Sequence, residues 1–112
     1  MDLGWYWEKE TGLPLPLGAI AVRRDLSEKT KQQLNTVLRE SVRFALQNPH
    51  APDEFVARHA QAMESDVCRR HIALYVNEFS IDLGVKGRQA VYTLFEKGTT
   101  TGFHPEIFVS EK

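Results

Sequence analysis

The sequence predicts an α/β chain that is mostly helix, with about five helices and one or two strands. Three observations lead there. Apolar residues recur at three-and-four spacing through most of the chain. One short stretch, Leu17 to Arg23 ("LGAIAVR"), alternates its faces as a strand does. Proline and glycine cluster at junctions rather than inside the periodic segments.

Taken in order, Leu3 to Thr11 ("LGWYWEKET") predicts a short helix ended by Gly12, a residue suited to the left-handed turn after a helix. Leu13 to Leu17 is expected to be extended, because Pro14 and Pro16 each push the preceding residue away from helical angles. The strand follows, with Ile20 and Val22 on one face and Ala19, Ala21 and Arg23 on the other, a pattern that suits a buried strand better than an edge. Asp25 or Ser27 caps the longest helix, which runs to about Gln47 and stops at Asn48-Pro49. Its stripe Leu34, Val37, Leu38, Val42, Ala45 and Leu46 is expected to face inward, with Lys31, Gln32, Asn35, Arg39 and Arg43 opposite. A third helix is predicted from Asp53 to Met63, with Phe55, Val56, His59, Ala60 and Met63 inward. Ser65 caps a fourth that runs to Phe79, presenting Val67, Ile72, Tyr75, Val76 and Phe79. "SIDLG" breaks it, and a fifth spans about Lys86 to Lys97, with Val91, Leu94 and Phe95 inward. Ile107 to Val109 is the one further stretch with strand character. The 112 residues are expected to form one partial domain, 1–112, with the tail 98–112 poorly placed.

Composition narrows the function classes. The net charge of −1 gives no field to draw nucleic acid or an anionic membrane. No apolar run approaches the roughly 20 residues of a membrane span. The N-terminus "MDLGWYWEKE" has no basic-then-apolar pattern of a secretory signal. Its Trp5, Tyr6 and Trp7 so near the start suggest a natural chain that began earlier. A lone cysteine, Cys68, fits a reducing compartment.

Candidate chemistry is sparse. Cys68 and His71 lie one turn apart and would supply two zinc ligands, with His59 a third; structural sites need four, and no CxxC or HxxxH completes a set. A half-buried thiol beside a surface imidazole is the better reading. No GxSxG, GxGxxG or GxxxxGK[ST] occurs. Arg23-Arg24-Asp25 at a helix start suits either an anion or local pairing, and "YVNEFSIDLG" (75–84) suits a cleft lining or, more simply, a helix end with core anchors. These residues give no catalytic group, no metal site and no cofactor.

The order of segments carries more. "DLGWYWEKETGLPLPLGAIAVRRDL", a long helix ending "SVRFALQNP", then "HAQAM", then "YVNEFSIDLGVKGRQAV" resembles the C-terminal part of the 1,4-dihydroxy-6-naphthoate synthase family, over residues 2–95. Trp5, Trp7, Thr11, Gly12, Pro14, Pro16 and Gly18 are its most specific part. The resemblance implies a type II periplasmic-binding-protein-like, two-lobed fold, a cytoplasmic location, and the futalosine route to menaquinone. It implies a lyase reaction in which cyclic dehypoxanthinyl futalosine yields 1,4-dihydroxy-6-naphthoate and dihydroxyacetone. The family's catalytic base lies in a His-Glu motif. This chain has no such dipeptide, so His50, His59, His71 and His104 take no role from it. What the resemblance leaves here is a segment without the catalytic half, with Leu15, Leu17 and Gly18 beside the substrate, inactive by itself. The alternative is a non-catalytic ligand-binding or interaction module that pairs through its orphan strand with a second copy or a separately encoded N-terminal half.

Overall fold

The computed structural model describes residues 1–60, 64–98 and 106–110. Among the described residues six helices follow one another: α1 (Leu3–Thr11), α2 (Glu28–Gln47), α3 (Asp53–His59), α4 (Ser65–Tyr75), α5 (Glu78–Ile81) and α6 (Gly84–Gly98).

Local signals set most of these bounds. The Asp2 carboxylate accepts from the Trp5 amide at 3.0 Å and starts α1. Gly12, at φ 68°, ends it by donating its amide to the Glu8 carbonyl; a side chain there would be strained. Ser27 caps α2 by accepting from the Thr30 amide. The predicted fourth helix is instead two. Tyr75 closes α4, and Asn77 opens α5 through a reciprocal capping box with Ser80. The sequence places those side chains three apart, which offers the backbone a fresh helix start and cuts the apolar run in two. α6 begins at Gly84, which the Asp82 side chain caps at 2.8 Å, rather than at Lys86. α3 stops at His59 with Ala60 extended; residues 61–63 of the predicted helix lie outside the described residues, as does His104.

The α/β expectation fails. Among the described residues there is no strand, and hence no sheet of the two-lobed solute-binding fold. Residues 17–23 lie outside any helix, but no backbone hydrogen bond joins residues 15–22 to another segment among the described residues. A strand exists only as one side of a ladder. The apolar residues expected to bury it are in the open: Ile20 is 80% exposed. Nor do the described residues of Ile107 to Val109 pair with it. That segment lies across α2 and α6 instead. Arg24 donates to the Glu106 carbonyl (3.1 Å), Gln32 approaches the Ser110 carbonyl (3.5 Å), and Phe108 meets the Tyr92 ring edge-on at 5.4 Å under the Arg88 guanidinium.

The inward stripe of α2 is the second correction. Leu34, Val37, Leu38 and Leu46 are exposed, and only Val42 and Ala45 are half-buried. Lys31, Gln32, Asn35 and Arg39, expected on the solvent side, are half-buried in their place. Arg39 donates to the Ile81 carbonyl at 3.2 Å, tying this face of α2 to α5. On α3 and α4, likewise, Phe55, His59, Val67, Ile72 and Tyr75 are exposed. The buried apolar set among the described residues is Leu13 and Ala90. The periodicity marks which face of each helix wants cover; the chain supplies little of that cover itself.

Candidate functional site

The most constrained region is the junction between α1 and the proline run. Trp7 Nε1 donates to the Pro14 carbonyl at 3.1 Å, Thr11 Oγ1 donates to the Trp7 carbonyl at 2.8 Å, and the Leu13 amide donates to Thr11 Oγ1 at 3.1 Å. Three bonds within eight residues fold the chain back on α1 and bury Leu13. Thr11, Gly12 and the prolines each remove an alternative: a hydroxyl in place of a missing helical partner, a left-handed turn, and two fixed φ angles.

Beside this junction lies a shallow cleft of about 360 Å³. Glu8, Gly12, Leu13 and Pro14 form one wall, and Phe79 and Lys86 the other. Phe79 is held there by the α5 capping box and by Gly87, where an added Cβ would stand 3.4 Å from the Phe79 ring and 3.2 Å from Leu83. Among the described residues the lining has apolar surfaces and one charge of each sign, Glu8 and Lys86, and no Ser, Cys or His. That combination suits holding a partly polar molecule. A second depression of about 500 Å³ runs along α6, lined by Val85, Arg88, Gln89, Tyr92, Thr93 and Glu96.

The sequence-derived candidates distribute unevenly around the first cleft. Leu15 is half-buried just past the Trp7 clamp, whereas Leu17 and Gly18 are exposed and outside the lining. Glu8 and Lys86 are what sequence reasoning missed. Trp7 belongs to the most specific motif and Phe79 to the 75–84 stretch suited to a cleft lining, but nothing in the spacing joins Phe79 and Lys86 to a loop some 70 residues upstream. Cys68 is half-buried, and the His71 ring lies 4.6 Å from the Tyr75 ring, tilted by 42°. His59 stacks on Phe55 at 4.1 Å, and His50 Nδ1 meets Asp53 at 3.0 Å. Among the described residues no three His, Cys, Asp or Glu gather as metal ligands. Arg23 pairs with Asp25 at 3.0 Å, which favours local pairing over an anion site. No helix among the described residues is long and apolar enough to cross a membrane.

The comparisons with known proteins place the chain in a biosynthetic family. A family model described as menaquinone biosynthesis matches residues 1–100, and the chain belongs to that family. Its relatives are specific. It is 44% identical over 102 residues to a 1,4-dihydroxy-6-naphtoate synthase of Thermus thermophilus, covering 91% of this chain. It is 43% identical over 106 residues to the enzyme of the same name from Streptomyces coelicolor, covering 95%. In both cases the chain spans 38% of the relative's length.

Proposed function

We propose that this chain is the C-terminal portion of a 1,4-dihydroxy-6-naphthoate synthase, a cytoplasmic lyase acting on cyclic dehypoxanthinyl futalosine, and that it is inactive without the rest of that enzyme. One observation carries the reading: the two synthases match nearly all of this chain, while this chain matches 38% of them. The cleft supports it, since its apolar walls with one carboxylate and one amine suit binding a partly polar molecule. In this reading Leu15, Leu17 and Gly18 contribute a margin of the substrate site, held in place by the Trp7–Pro14 bond.

The test is turnover. The purified chain, given cyclic dehypoxanthinyl futalosine, is expected to release no 1,4-dihydroxy-6-naphthoate. Co-expression with the segment of the Thermus relative that this chain lacks is expected to restore product. Turnover by the 112-residue chain alone overturns the proposal.

A further inference from the structure

The accessible surface of the chain is 9252 Å². A compact folded monomer of this mass exposes about 6300 Å², so roughly 3000 Å² is in excess. The radius of gyration agrees: 16.3 Å, against about 13 Å for a compact domain of 112 residues. Large apolar side chains stand exposed on several helices. One such face is on α2, where Leu34, Val37, Leu38 and Phe44 lie beside the half-buried polar residues; Val37 is 65% and Phe44 59% exposed. A helix of 20 residues whose polar side is turned inward presents an interaction surface.

The length of chain outside the structure points to the occupant: since 102 matched residues are 38% of the Thermus relative, roughly 165 of its residues have no counterpart here. We infer that the Leu34, Val37, Leu38 and Phe44 face of α2 is the seat of that remaining polypeptide. The inference rests on the functional reading above and goes beyond it by naming the surface.

The experiment co-expresses the tagged 112-residue chain with the unmatched segment of the Thermus relative and measures co-purification. Recovery in equal stoichiometry is expected. Val37→Asp with Leu38→Asp is expected to reduce it tenfold or more, and the milder Val37→Gln with Leu38→Gln to reduce it several-fold. Both pairs lie on an exposed face, so the circular dichroism of the chain alone should keep its helical signal. Val85→Asp, at a still more exposed apolar position on α6, is expected to leave recovery unchanged. An active complex that the Asp pair leaves intact overturns this surface and keeps the functional reading. A wild-type pair that neither binds nor turns over overturns both. Light scattering that shows a dimer of the chain alone, made monomeric by the Asp pair, also overturns it, in favour of a second copy.

Discussion

The α1 junction and α2 are built on opposite terms. Residues 2–14 close on themselves: a side-chain cap at one end, a left-handed glycine at the other, an indole on a proline carbonyl and a buried leucine between them. The longer α2 has a sound cap and a strong apolar stripe, yet that stripe meets solvent. Hydrogen bonds between near neighbours need only the local chain to satisfy them. An apolar face needs area from elsewhere, and a segment with 38% of its relatives' length carries the need without the supply.

This contrast can be broken by mutation. Leu13→Ala should have the largest effect on the isolated chain, about 2–3 kcal/mol by thermal or urea unfolding, because it empties a buried position. Trp7→Phe comes next, about 1–2 kcal/mol, since it leaves the Pro14 carbonyl without its donor in a half-buried site. Asn77→Ala removes one arm of the α5 capping box and should cost about 1 kcal/mol. Val37→Ala should have the smallest effect, within about 0.5 kcal/mol, the ordinary range for a solvent-facing position. A loss of 1 kcal/mol or more at Val37 would mean that the stripe is already covered, and the comparison with the α1 junction would collapse. Amide exchange sharpens it further: the amides of Ala19 to Val22 should exchange fast in the chain alone, and the amide of Gly12 slowly, because only the latter has an acceptor in hand.

What the sequence made legible follows the same division. The bounds of α1 and α2 were readable because Asp2, Gly12, Ser27 and Asn48-Pro49 act within four residues of themselves. The split at Tyr75 was encoded in Asn77 and Ser80, but the apolar pattern through Phe79 masked it. The strand reading of Leu17 to Arg23 identified apolar alternation correctly and then assumed a ladder, which is a property of two segments. The inward stripe of α2 failed for the same cause: periodicity tells which face is apolar, and only a neighbour decides whether that face is covered. The cleft was half legible. Its Gly12-Leu13-Pro14 wall belongs to the most specific motif of the chain, while Phe79 and Lys86 arrive by tertiary placement that no spacing records.

The uncovered face of α2 has a consequence for the life of the chain in a cell. Chaperones hold, and proteases clear, polypeptides that show lasting apolar surface, and small differences in that exposure alter steady-state abundance several-fold. A chain with Val37 and Phe44 in the open is therefore a substrate for quality control whenever it is made without its cover. Its lifetime should lengthen once that face is covered.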